Sequence, residues 1–125
     1  MIKEKNAVDA YFATIHMAGD INHARQICRK FVMSGNCVQL TPCEFIYTGG
    51  MEVGFTVRLM NYARFPRELD EIDSDALQLA CQLCRELCQL SFTIETPHTS
   101  TYYTDDNFKS EASQLSVNPE RAVKK

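Results

Sequence analysis

His16 lies on an alternating stretch, Phe12-Ala13-Thr14-Ile15-His16-Met17, and shares its outward parity with Thr41, Thr56 and Arg58 on two later stretches. An imidazole, a guanidinium and several hydroxyls on one surface can grip an anion. Guanidinium offers two parallel N–H donors, the threonines add more, and imidazole gains or loses a proton near neutral pH. Thr93 and Glu95 carry the same parity on a last short stretch, which makes His16 and Glu95 an acid–base candidate pair. Tyr47, Tyr62 and Arg64 border the longest alternating run and complete the candidate binding surface. No Ser-His-Asp order, His-x-x-x-His pair or Gly-x-Ser-x-Gly elbow is present, so no residue is assigned as catalytic on motif grounds.

Cysteine chemistry is the other possibility. Cys81-x-x-Cys84-x-x-x-Cys88 would place three sulfurs on one helix face, and three thiolates invite zinc. Structural zinc sites draw ligands from separate elements, however, and a redox Cys-x-x-Cys sits at a helix N-terminus after a strand. Among Leu83 and Leu87 these cysteines read as small core residues, as does Cys28 beside Ile27 and Phe31. The expectation is six free thiols, no metal and no cofactor. The turn Tyr47-Thr48-Gly49-Gly50-Met51-Glu52 lacks the Gly-Lys-Ser/Thr ending of a phosphate loop and reads as a hairpin turn.

Gly49-Gly50 separates two alternating runs, 37–47 and 51–62, and a two-residue hairpin turn needs residues that accept positive φ. Folding there is expected to pair Ile46 with Val53, Leu40 with Leu59 and Thr41 with Arg58. One face then carries Val38, Leu40, Ile46, Val53, Phe55, Val57 and Leu59, toward the core. The other carries Thr41, Phe45, Tyr47, Thr56, Arg58, Met60 and Tyr62. Upstream, Gly19-Asp20 ends the first strand, and Asp20 caps a helix with Ile21, Ala24, Ile27, Cys28 and Phe31 at helical spacing. Ser34-Gly35-Asn36 closes that helix. Downstream, Arg67 to Glu71 is a charged connection. Asp73 or Ser74 caps a second helix running to about Gln89, with Ala76, Leu77, Ala80, Leu83, Cys84 and Leu87 as its apolar stripe. The stretch 91–96 is a last strand that Pro97 stops.

The order β-α-β-β-α-β, with four strands and two helices needing cover, predicts a ferredoxin-like α+β two-layer sandwich with strand order 4-1-3-2. The domain is expected over 8–103; Tyr102-Tyr103 either extends the last strand or packs locally. The segment 104–125 is polar and reads as a flexible tail or one that orders on a partner.

At 125 residues the chain is one domain, and 13 basic against 16 acidic residues leave a net charge of −3. That balance argues against a general nucleic-acid binder. Val53-Gly54-Phe55-Thr56-Val57 loosely matches an RNA-recognition strand, but Phe55 and Val57 face the core, where no base can stack. No apolar run approaches membrane length and no signal peptide is visible, so the chain reads as soluble and cytoplasmic, with no membrane partner. The open sheet face is too apolar for a lone monomer, with Phe12, Phe45, Tyr47, Met60 and Tyr62 on it. Either the tail folds over it or a second copy pairs there as a homodimer.

The segments Phe45-Ile46-Tyr47-Thr48-Gly49-Gly50-Met51-Glu52-x-Gly54 and Asn61-Tyr62-x-Arg64-Phe65-Pro66 resemble a motif pair in small proteins encoded by bacteriophages and prophages. The similarity runs from about Tyr11 to Ile94. The resemblance implies a phage gene product acting in the cytoplasm of a bacterial host. It carries no known activity over. Together these features predict a non-enzymatic accessory protein that binds a host protein and inhibits or redirects a host or defence factor. Sequestration of an anionic, phosphorylated small molecule on the open face is the second expectation. A small enzyme using His16 and Glu95 is the third.

Overall fold

Alternation over Phe12–Ala18 drives Ala13, Ile15 and Met17 to one side, and all three are buried. The computed structural model, which describes residues 1–106, builds a sheet on that strand, β1. Helix α1 (Ile21–Phe31) follows, its N-terminus capped where the Asp20 side chain accepts from the Asn22 N–H at 2.9 Å. Ala24, Ile27 and Cys28 are its buried face. A 3₁₀ turn ends at Gly35, whose φ of +106° is left-handed. Strands β2 (Gln39–Tyr47) and β3 (Gly50–Met60) form the hairpin. Helix α2 (Leu69–Glu86), β4 (Ser91–Glu95) and β5 (Ser100–Thr104) complete the chain order.

The sheet is antiparallel and five-stranded, in the order β2-β3-β1-β4-β5. Four strands were expected. The fifth, β5, adds outside β4 after the Thr96–Thr99 turn, where Thr96 Oγ1 accepts from the His98 and Thr99 amides. Both helices pack on one face. Phe55, Ile15, Leu59, Ile72, Leu79, Leu83 and Val57 fill the space between layers. Tyr103 of β5 stacks on Phe92 with ring centroids 5.1 Å apart. The result is an α+β two-layer sandwich. No helix among the described residues is long and apolar enough to cross a membrane.

Several sequence expectations are corrected. The turn residues are Thr48 and Gly49, so Ile46 pairs with Met51, Leu40 with Val57 and Thr41 with Thr56. Because this register lies two residues from the expected one, every side chain keeps its face. Ile46 and Val53 point to the helix side as expected but are 78 % and 63 % exposed, because no helix reaches the far end of the long hairpin. Helix α2 starts earlier than expected. Glu68 is its N-cap in a capping box with Glu71, so the charged connection is in part the first helical turn. Leu79 is buried and Leu77 exposed. Helix α2 ends at Glu86, and Cys88 has a φ of +57° beyond it. Cys84 is buried and Cys88 exposed, so the three sulfurs do not share one face. Residues 107–125, nearly all of the expected tail, lie outside the described residues; Thr104 ends β5.

Candidate functional site

Strand pairing lays the open-face residues out in rows. Thr41, Thr56, His16, Thr93 and Tyr102 form one row across the five strands. Gln39, Arg58, Thr14, Glu95 and Ser100 form the next. His16 and Glu95 are therefore diagonal neighbours on adjacent strands, within reach of long side chains. His16 Nε2 lies 3.0 Å from Glu95 Oε1, with the ring N–H donating to the carboxylate. Both remain open to solvent, their side chains 32 % and 50 % exposed. Around them, Phe45, Thr93 and Ser100 complete a cavity of about 400 Å³. An open apolar wall facing a carboxylate–imidazole pair suits a small ligand with a cationic centre, and the pair can take up a proton.

Arg58, on the other side of Thr14, places its guanidinium over the Phe12 ring, 4.4 Å from the centroid. Tyr62 lies beyond the end of β3, its ring 5.2 Å from that of Phe65. Burial pushes the Tyr62 phenol up from its ordinary value, the neighbouring Cys37 thiol adds to the effect, and the Arg58 charge opposes it. Arg64 is exposed in the short turn closed by the Tyr62–Phe65 bridge. Tyr47 lies at the opposite end of β3, against Gly50, where an added Cβ would meet its ring at 2.9 Å. The fold thus gathers His16, Thr41, Thr56 and Arg58 in adjacent rows. It sets Tyr62 near Arg58, and leaves Tyr47 and Arg64 at the two ends of the face.

Sequence reasoning overlooked Ser100 as a site residue, because β5 was not read as a strand. It also placed Phe45 and Phe12 on the open face without assigning them to the site. Phe45 lies over Gly54, whose missing side chain makes room for it, and a glycine inside a strand is the sequence signal for such close approach.

Fold and site together define a two-layer α+β protein with a cavity on its open sheet face. No family model and no curated protein matches the chain. Among solved structures, a phage SAM lyase in its apo state superposes with a TM-score of 0.62 at 12 % identity, covering 87 % of this chain and 100 % of that chain. A phage SAM lyase in complex with S-methyl-5′-thioadenosine superposes with a TM-score of 0.56 at 10 % identity, over the same shares. The likeness is one of fold. It corrects the expectation of a non-enzymatic protein that acts by binding a host factor, because the solved neighbours are enzymes.

Proposed function

We propose that this chain is an enzyme that cleaves S-adenosylmethionine and releases S-methyl-5′-thioadenosine. The observation that carries the reading is the superposition of the whole length of a phage SAM lyase on this sheet and its helices. The phage setting implied by the two sequence motifs agrees with it.

The chemistry suits the open face. The sulfonium of S-adenosylmethionine is positive, so breaking the bond from sulfur to the amino-acid arm takes the electron pair onto sulfur and frees a neutral thioether. A lyase adds no water. The carbon left behind is closed by the substrate's own carboxylate, giving a lactone, or its neighbour loses a proton, giving an alkene. Glu95 supplies a fixed negative charge that binds the substrate's sulfonium, and its hydrogen bond to His16 holds it in place. The same pair can receive a proton on the second route. Phe45 provides an apolar wall beside the pair.

Glu95→Gln keeps the shape of the side chain and removes its charge. It is expected to lower kcat/KM for S-adenosylmethionine cleavage by about a hundredfold, through weaker substrate binding and, on the alkene route, loss of the base. An unchanged rate in a folded Glu95→Gln protein would move the reaction away from this cavity.

A further inference from the structure

Arg58 and Glu95 occupy the same cross-sheet row, one on each side of Thr14. Two strand spacings separate their backbones, about 10 Å. From this row the guanidinium reaches along the strands toward Phe12 and the carboxylate toward His16. Arg58 is exposed, yet its guanidinium rests over the Phe12 ring, which restrains the planar group and leaves N–H donors for a ligand. The ion pairs among the described residues join His16 to Glu95 and Arg67 to Asp75, so Arg58 holds no carboxylate there.

Building on the reading of this chain as an S-adenosylmethionine-cleaving enzyme, we propose that Arg58 is its specificity-determining residue, binding the carboxylate of the substrate's amino-acid arm. The substrate carries a positive sulfur and a negative carboxylate three carbons away. Glu95 and Arg58 present the opposite charges on the two sides of Thr14, the carboxylate turned toward His16 and the guanidinium toward Phe12. A guanidinium fork matches a carboxylate with two parallel hydrogen bonds. The released thioether has lost the amino-acid arm and with it the carboxylate. Arg58 therefore favours the substrate over the product, which eases product release after the bond breaks.

The rival role for this arginine is to stack on the purine, which substrate and product share. Binding of two uncleaved probes separates the roles. S-Adenosylhomocysteine keeps the amino-acid arm but has no sulfonium, and S-methyl-5′-thioadenosine has no arm. Titration calorimetry on the full chain is expected to show Arg58→Ala weakening S-adenosylhomocysteine by about tenfold or more, with S-methyl-5′-thioadenosine changed by less than about twofold. Arg58→Lys, which keeps the charge and loses the fork, is expected to fall between. Equal weakening of both probes, or no weakening of either, overturns the carboxylate assignment. If the wild-type protein cleaves S-adenosylmethionine while Arg58→Ala leaves the S-adenosylhomocysteine affinity intact, only this assignment fails. If the wild type binds neither probe and cleaves nothing, the substrate reading fails and takes the assignment with it.

Discussion

The Phe45 ring lies directly over Gly54 on the open face of the sheet. A Cβ at position 54 would meet Phe45 Cε2 at 2.6 Å and the Met17 carbonyl oxygen at 2.4 Å, and backbone cannot yield to such overlap as a flexible side chain can. Gly54→Ala is therefore expected to cost about 1–3 kcal/mol of stability by overpacking. Because Phe45 also walls the His16–Glu95 cavity, the same change should disturb ligand binding. Urea unfolding measures the first effect; an unchanged midpoint would mean that ring and strand separate freely.

Val57 is fully buried beneath the helices and pairs with both Ile15 and Leu40. Val57→Asp places an unpaired charge in that layer, at a cost comparable with the whole stability of a small domain. Loss of a cooperative thermal melt is expected. A melt like that of the parent would place position 57 on the open face instead.

Cys88 sits where a helix-ending motif favours glycine. The Gln89 N–H donates to the Cys84 carbonyl, the Cys88 N–H donates to the Arg85 carbonyl, and Cys88 has a φ of +57°. A side chain there costs about 1 kcal/mol. Cys88→Gly should raise stability by roughly 0.5–1 kcal/mol, read as a higher urea midpoint at constant slope. A lower midpoint would show that the thiol makes a contact worth more than the strain.

Alkaline pH should destabilise the fold. Burial pushes the Cys28 thiol from 9.0 up to about 11, and burial also raises Cys43 and Cys84. Burial raises Tyr11 too, helped by its hydrogen bond to Asp73. In each case the folded state holds its proton where the unfolded chain has released it. Stability is therefore full below about pH 9 and falls as pH rises toward 11, at up to about 1.4 kcal/mol per unit for Cys28 alone. Denaturation midpoints across pH 7–11 test this. A flat profile would mean that these groups titrate as they do in the unfolded chain.

Much of the layer structure was legible because period-two and period-3.6 patterns are strong in β1, β3 and α1. The face of Thr41 and Arg58 survived an error in pairing, since a register differing by two residues preserves parity. Strand β5 was missed because Ser100–Thr104 has β-forming threonine and tyrosine, but its helix-side positions are Thr101 and Tyr103, and only Tyr103 is apolar enough to be half-buried, leaving no apolar alternation to read. The start of α2 was missed because glutamate is not a favoured N-cap by itself; Glu68 serves through its reciprocal bonds with Glu71. His16 and Glu95 were named from the sequence. Their 3.0 Å contact depends on pairing strands 79 residues apart, which parity alone does not supply. The enzymatic reading ranked third because no catalytic motif is present in the sequence.

The central claim is tested most directly by incubating the purified protein with S-adenosylmethionine and following both species by liquid chromatography with mass detection. The account predicts S-methyl-5′-thioadenosine appearing in step with substrate loss, and, at substrate concentrations below KM, at about a hundredth of that rate with Glu95→Gln. Intact S-adenosylmethionine and no S-methyl-5′-thioadenosine, from a wild-type protein shown by its melt to be folded, would contradict it.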